Sequence, residues 1–295
     1  MESSNLIKGT AARGEIRAVS VCSTEIVEEA RRRHALSATV TAALGRLLTA
    51  GALMGANLKN RETVTLRVFG DGPISGMIVD ATASGTVRGY ARNPQVDLSP
   101  NSQKKLDVGT AVGRQGFIHV TYALELRDPY TGSAPLSSGE IAQDLAHYFR
   151  VSEQIPSVVS LGVLVGKEGV LAAGGFMIQL PNTSASEDLV STLERNVSGL
   201  GESSRLIHEG VSPEGILDKA LEGLDFHPEE RKSIVFACTC NEEKVKGALA
   251  ALGRRELIEI LEKEGQAQAK CEFCAQEYVI SRGTLEELLQ WSEMS

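Results

Sequence analysis

Four cysteines near the C-terminal end of the chain occur as two close pairs, Cys238-Thr-Cys240 and Cys271-Glu-Phe-Cys274, with thirty residues between the pairs. Two thiol pairs from separate segments provide the four soft ligands that a tetrahedral zinc site requires. The sulfurs that hold zinc as thiolates are also the sulfurs that oxidants attack, so the pattern is equally compatible with two disulfides. These residues leave open whether the cluster is an inert structural zinc site or a redox switch.

The spacing of the first pair bears on that choice. Cys238 and Cys240 are separated by one residue, whereas the usual zinc ribbon has Cys-x-x-Cys, and oxidation of two such close sulfurs would form a local disulfide and eject the metal. Only 64 residues, 232–295, are available around the cluster, so their core is thin. Zinc binding would then supply much of the folding free energy of this segment. Oxidation of the cysteines could therefore directly cause local unfolding of this segment.

The composition indicates a chain that is neither exported nor inserted in a membrane. Its 295 residues are 42% hydrophobic and 23% charged, enough apolar residues for two domains. Residues 1–17 lack a signal-peptide core, and the longest apolar stretch, 44–58, contains Arg46 and is too short for a membrane span. Five cysteines in such a chain predict the reducing cytoplasm. The fifth, Cys22, is expected to be a small buried hydrophobic residue in a strand.

The net charge of −8 is unevenly distributed along the chain. Residues 181–231 contain eleven acidic and four basic residues, and residues 232–295 contain eleven and eight. The first 180 residues have a net charge of +2. Acidic middle and C-terminal segments would repel a phosphate backbone, so nucleic acid is not an expected partner.

The first 180 residues predict an α+β domain with a mixed or antiparallel sheet, because several strands are joined by short turns. The predicted strands cover 14–22, 63–69, 74–80, 87–91, 117–123, 158–165 and 169–178. The predicted helices cover 24–33, 37–58 and 138–150.

Residues 181–231 predict an acidic helical linker. Helices are expected at 186–200 and 203–209 and after Ser212-Pro213, where a cap residue precedes proline. These helices are short and interrupted by glycines, so they must dock on another element to be stable. Their apolar side chains are Leu189, Leu193, Val197, Leu200, Ile216, Leu217 and Leu221.

Residues 232–295 predict a small C-terminal zinc-binding domain. The expected elements are a strand at 233–238, helices at 241–252 and 254–263, and a hairpin at 271–280. A terminal helix is expected to begin at Thr284, with Glu287 completing a capping box.

The chain lacks the patterns typical of an enzyme active site. None of its five histidines stands at nucleophile-like spacing from a cysteine, and no phosphate-binding loop is present. A thiol-disulfide oxidoreductase that uses Cys271-x-x-Cys274 is the main alternative function, although the thioredoxin-like βαβ context is missing. A zinc-stabilised nucleic-acid module is a third interpretation, which the charge distribution disfavours.

The chain resembles the bacterial heat-shock protein 33 family, the redox-regulated holdase chaperones. The order of the three segments and the cysteine spacing match that family. Further similarities lie at Arg32-Arg-His34, Ala42-Ala-Leu-Gly-Arg46, Gly72-Pro73, Asn93-Pro94, Ser152-Glu-Gln154 and Ala172-Ala-Gly-Gly-Phe176.

This resemblance implies a stress-response chaperone rather than an enzyme. In the reduced, inactive state Cys238, Cys240, Cys271 and Cys274 would hold one Zn²⁺ per chain. Oxidation would release zinc and form the disulfides Cys238–Cys240 and Cys271–Cys274. The zinc domain and linker would then unfold and bind unfolding client proteins without ATP, and the oxidised form would dimerise.

Overall fold

The strands of the first structural unit, Met1–Ala237, form a five-stranded and a six-stranded sheet. The computed structural model describes residues 5–125, 127–181 and 185–291. The strands of this unit are β1 (Leu6–Ala11), β2 (Ile16–Cys22), β3 (Thr63–Gly70), β4 (Met77–Thr82), β5 (Thr86–Ala91), β6 (Gly116–Ala123), β7 (Tyr130–Pro135), β8 (Ser157–Val165), β9 (Val170–Gln179), β10 (His227–Lys232) and β11 (Val235–Phe236). Its helices are α1 (Thr24–His34), α2 (Ala38–Gly55), α3 (Val108–Val112), α4 (Ala142–Tyr148), α5 (Glu187–Leu200), α6 (Ser203–His208) and α7 (Pro213–Ala220).

The two sheets are almost entirely antiparallel. The five-stranded sheet has the order β10-β1-β2-β9-β8, and the six-stranded sheet has the order β11-β5-β4-β3-β6-β7. Only the short pairing of β11 with β5 is parallel among the described strands. Short connections such as the one between β4 and β5 permit antiparallel neighbours. The predicted α+β class with mixed or antiparallel sheets is confirmed.

Helix α2 forms the centre of the larger hydrophobic core. It contacts β3, β4 and β5 of one sheet and β2, β8 and β9 of the other. Its length and hydropathy would suffice to cross a membrane, but 89% of it is buried inside the protein, as in a core helix. The close approach depends on small residues: a Cβ at Gly51 would lie 2.7 Å from Val79 Cγ1. The packing around Gly51 therefore leaves no room for a larger side chain at this position of α2.

Helices α6 and α7 pack on the opposite face of the five-stranded sheet, and α5 packs on α7. Alternate residues of a strand point to opposite faces, so Val19 of β2 faces the α2 core while Ile16 and Ala18 face a second core. The linker residues buried in this second core are Leu193, Ile216, Leu217 and Leu221, with Leu189, Val197 and Leu200 packed partly buried around them. The predicted docking of these helices is confirmed. Residues 182–184 of the predicted linker lie outside the described residues.

Helix α6 lies against β8 and β9 at unusually short range. A Cβ at Gly162 of β8 would lie 2.6 Å from the backbone nitrogen of Ser204. The hydroxyl groups of Ser160 and Ser203 are hydrogen bonded at 2.7 Å. Lys105 forms an ion pair with Glu202, the residue that precedes the helix. Helix α6 is thus seated on the sheet through backbone proximity and polar contacts.

The second structural unit, Cys238–Ser295, is small. Its elements are α8 (Glu242–Ala250), α9 (Arg254–Lys263), β12 (Ala267–Lys270), β13 (Glu277–Ile280) and α10 (Arg282–Trp291). Strands β12 and β13 form an antiparallel hairpin. The buried residues of its hydrophobic core are Leu249, Leu257, Ala267, Ile280 and Leu285. So small an apolar core gives little stability on its own, as expected from the length of the segment.

Three expectations for the C-terminal region need correction. Strand β11 has two residues, and it pairs with β5 of the first unit. The first strand of the hairpin ends before Cys271, because the cysteine segment itself forms the turn. The predicted capping box at Thr284 is wrong: the helix begins at Arg282, and the Thr284 N–H donates to the Ser281 hydroxyl oxygen at 3.4 Å. The division into a core domain (1–180), a linker (181–231) and a zinc domain (232–295) stays a prediction.

Candidate metal centre

Cys238 and Cys240 lie in the segment that leads into α8. The Asn241 side chain caps that helix by accepting the Lys244 N–H at 2.9 Å. The Lys244 ammonium donates to the carbonyl oxygen of Thr239 at 2.7 Å and to its hydroxyl oxygen at 3.1 Å. The residue between the two cysteines is therefore tied to the first turn of the helix, which limits the directions available to both thiols.

Cys271 and Cys274 lie in the turn between β12 and β13. The Cys271 N–H donates to the Gln276 carbonyl oxygen at 2.9 Å, and the Ala275 N–H donates to the Cys271 carbonyl oxygen at 2.8 Å. Ala275 has a left-handed backbone with φ of 57°. These bonds close a tight loop that turns both thiols toward the same side.

The fold brings the two pairs together. All four Sγ atoms lie within 4.8 Å of one another. Cys238 Sγ is 3.8 Å from Cys271 Sγ, and Cys240 Sγ is 3.3 Å from Cys274 Sγ. Sulfurs bound tetrahedrally at a Zn–S distance of about 2.3 Å would be about 3.8 Å apart. The donor set and its spacing therefore fit a metal ion that prefers four thiolates.

Burial opposes ionisation of the Cys271 and Cys274 thiols when no cation is bound. It raises the pKa of the Cys274 thiol to about 12, and Cys274 is only 3% exposed. Burial also raises the pKa of the Cys271 thiol, an effect opposed by the N–H groups of Cys274 and Phe273, which donate to its sulfur. A divalent cation would supply the positive charge that makes four neighbouring thiolates stable.

Tyr278 of β13 is part of the cluster, and the sequence analysis missed it. Its hydroxyl donates a hydrogen bond to Cys240 Sγ at 3.1 Å. The alternation along β13 could have indicated this position, because Val279 is exposed while Tyr278 and Ile280 face inward. Hydrogen bonds to metal-ligating atoms orient those ligands and tune their reactivity.

The remaining candidate residues lie outside the cluster. The ligand group found in the described part of the chain contains none of the five histidines. Cys22 ends β2 in the first unit and is partly buried, with its Sγ 3.5 Å from the Thr24 hydroxyl oxygen. Cys271 and Cys274 occupy a hairpin turn, whereas thiols activated for disulfide exchange often lie at a helix N-terminus. The geometry thus gives no support to the oxidoreductase alternative.

Comparisons with known proteins point to one family. A model of the family described as "Hsp33 protein" matches residues 4–281. A 33 kDa chaperonin of Gloeobacter violaceus is 46% identical over 291 residues, which cover 97% of this chain and 95% of that protein. A 33 kDa chaperonin of Geobacillus kaustophilus is 45% identical, with 97% of each chain covered. The crystal structure of the 33 kDa chaperonin (heat shock protein 33 homolog) of Thermotoga maritima has a TM-score of 0.93 and 41% identity, and covers 99% of this chain and 100% of that one.

Proposed function

Because the chain belongs to the Hsp33 family of chaperones, we propose that it is an ATP-independent holdase whose activity is switched on by oxidation of its four clustered cysteines. The observation that carries this proposal is the position of the cluster. Four thiols that can hold a metal ion lie together in a small unit with a thin apolar core. Chemistry at the sulfurs is therefore coupled to the folding of that unit.

In the reduced state, Cys238, Cys240, Cys271 and Cys274 would hold one Zn²⁺ per chain. The bound ion would stabilise the thiolates and crosslink the segment before α8 to the β12–β13 turn. This state of the protein would be inactive, because the apolar residues of α5 and α7 are buried in the second core beside the five-stranded sheet.

Oxidation by peroxide would convert the four thiols to two disulfides. Each disulfide forms when one thiolate sulfur attacks a peroxide oxygen, the O–O bond breaks, and a second thiolate displaces the resulting hydroxyl from sulfur. Two peroxides and four thiols thus give two disulfides and four waters. By resemblance to the family, the pairs are Cys238–Cys240 and Cys271–Cys274. Disulfide sulfurs have lost the thiolate charge that binds the metal, so zinc would leave.

Loss of zinc would unfold the second unit, and we propose that unfolding spreads along the chain to the linker. Helix α6 has six residues, and helices this short are unstable without tertiary contacts. Release of α5 and α7 would expose Leu193, Ile216 and Leu217 together with the sheet residues Phe176 and Ile178 that they cover. These newly exposed apolar surfaces would bind clients.

The proposed partners are unfolded or partly folded proteins, with neither nucleic acid nor a membrane involved. The reducing cytoplasm is the proposed location, since it keeps the thiols reduced until oxidative stress occurs. The oxidised form is proposed to be a homodimer, and no catalytic role is assigned to any residue.

A light-scattering assay with an aggregating client tests this function. The protein is added without ATP, either reduced and zinc-loaded or after peroxide treatment at mild heat. We expect suppression of aggregation by the oxidised form only. Insulin reduction is measured in parallel, because the oxidoreductase alternative predicts turnover there. Equal behaviour of both forms toward the client would contradict a redox-regulated holdase.

A further inference from the structure

Three sulfurs of the cluster, those of Cys271, Cys274 and Cys240, accept different hydrogen bonds. The N–H groups of Phe273 and Cys274 donate to Cys271 Sγ, and the Gln276 N–H donates to Cys274 Sγ. Cys240 Sγ instead accepts a side-chain hydrogen bond from the Tyr278 hydroxyl at 3.1 Å. A thiolate has no proton of its own, so the phenol must be the donor. This contact can be removed by substitution, unlike the backbone contacts.

The position of Tyr278 is fixed by the hairpin. Tyr278 pairs with Ala269 of β12, in the middle of the four-residue register between the strands. The next inward residue, Ile280, is 1% exposed and packs in the core of the second unit. The tyrosine ring is thus held by a strand and its hydroxyl points at one sulfur of the four.

We propose that Tyr278 is a positioning residue that protects Cys240 from oxidation, so that the reaction with peroxide begins at another sulfur of the cluster. This inference deepens the proposed redox function and rests on it. In the step concerned, a sulfur lone pair attacks one peroxide oxygen, the O–O bond breaks, and hydroxide leaves. A hydrogen bond to the sulfur withdraws electron density from that lone pair and slows the attack.

The size of the effect follows from the strength of the contact. A hydrogen bond to a charged acceptor is worth roughly a ten- to hundredfold factor in an equilibrium constant. Attack by the sulfur lone pair gives up part of that bond in the transition state, corresponding to about the 0.4–0.5 power of this factor. Removal of the Tyr278 hydroxyl should therefore accelerate the first oxidation of Cys240 roughly three- to eightfold.

The test uses the full, zinc-loaded chain and the variant Tyr278→Phe, which keeps the ring. Tyr130→Phe is the matched control, because it removes a phenol hydroxyl from β7 in the first unit. Each protein receives limiting peroxide together with a dimedone-type probe that traps sulfenic acid, and mass spectrometry measures the initial labelling of each cysteine. We expect a three- to eightfold rise at Cys240 in Tyr278→Phe alone, with the other cysteines unchanged.

A second variant should change the labelling of Cys240 in the opposite direction. Site-specific 3-fluorotyrosine at position 278 keeps the ring and strengthens the hydroxyl as a donor, so Cys240 labelling should fall below the wild-type rate. Unchanged Cys240 labelling in both variants, or an equal rise at all four cysteines, would overturn the inference. A wild-type chain that shows no peroxide-dependent holdase activity would instead refute the proposed function, so the two failures are distinguishable.

Discussion

Replacing Gly162 with alanine should loosen the linker in the reduced protein without any oxidant. Gly162 lies in β8, directly beneath α6. An added Cβ would lie 2.6 Å from the Ser204 nitrogen, 2.7 Å from its hydroxyl oxygen and 2.8 Å from its Cβ. The first of these atoms belongs to the helix backbone, so a side-chain rotation cannot relieve the clash. Helix α6 as a whole must move away from the sheet.

The cost of such overpacking is typically about 1–3 kcal/mol. If this cost falls on the docked state alone, the ratio of undocked to docked linker rises roughly 5- to 150-fold at 25 °C. The strand itself tolerates alanine, since Gly162 adopts an ordinary extended backbone in the β8–β9 register. The effect should thus be confined to the linker.

Hydrogen exchange measured by mass spectrometry on reduced, zinc-loaded protein checks this prediction. Amides of α6 should exchange roughly 5- to 150-fold faster in Gly162→Ala than in wild type. Gly199→Ala is the matched control, because a Cβ at this position of α5 meets nothing within 4 Å. Wild-type exchange of α6 in Gly162→Ala, or equal acceleration in the control, would refute the argument that backbone proximity seats the linker.

Three further predictions concern the metal and the core. The double variant Cys271→Ser, Cys274→Ser should bind far less zinc by elemental analysis and lose its peroxide response; wild-type zinc content would contradict the proposed ligands. Acidification should release the metal, because zinc binding must displace the proton of the Cys274 thiol. Burial raises the pKa of this thiol to about 12, so the proton is present when no metal is bound. The apparent affinity in a chelator competition should then fall at least about tenfold per pH unit, and a pH-independent affinity would argue against thiolate ligation. Asp144→Ala should destabilise the protein by roughly 3 kcal/mol or more in denaturant unfolding. The reason is that this fully buried side chain accepts hydrogen bonds from the N–H groups of Ser137 at 2.7 Å and Ile141 at 2.9 Å. An unchanged unfolding midpoint would refute that role.

The proximity of the four cysteines could be predicted, because two close thiol pairs at this spacing are typical of a metal site. The apolar stripe of the linker was equally visible, since Leu193, Ile216 and Leu217 follow helical periodicity and are buried as expected. The alternation along β13 places Tyr278 on the inward face, but it does not indicate that the hydroxyl contacts Cys240. That contact depends on the strand register, which is a tertiary property.

The sequence analysis missed β1, β7 and β10, and in each of them the local sequence weakens the signal for a strand. β10 contains Pro228 and several charged residues and is mostly exposed at a sheet edge, so it has no hydrophobic alternation. β7 is also an edge strand, and it includes Gly132 and Pro135, which weaken strand propensity. β1 is interrupted by Gly9, where a Cβ would lie 2.2 Å from the His227 carbonyl oxygen. Pairing with neighbouring strands, rather than local preference, determines these elements.

A peroxide titration of one reduced, zinc-loaded sample tests the central claim most directly. After each addition, released zinc and suppression of client aggregation are measured in the same sample without ATP. The proposed switch predicts that suppression rises in step with zinc release and reaches its maximum as one zinc per chain is lost. Full suppression with zinc still bound, or complete zinc release without suppression, would contradict it.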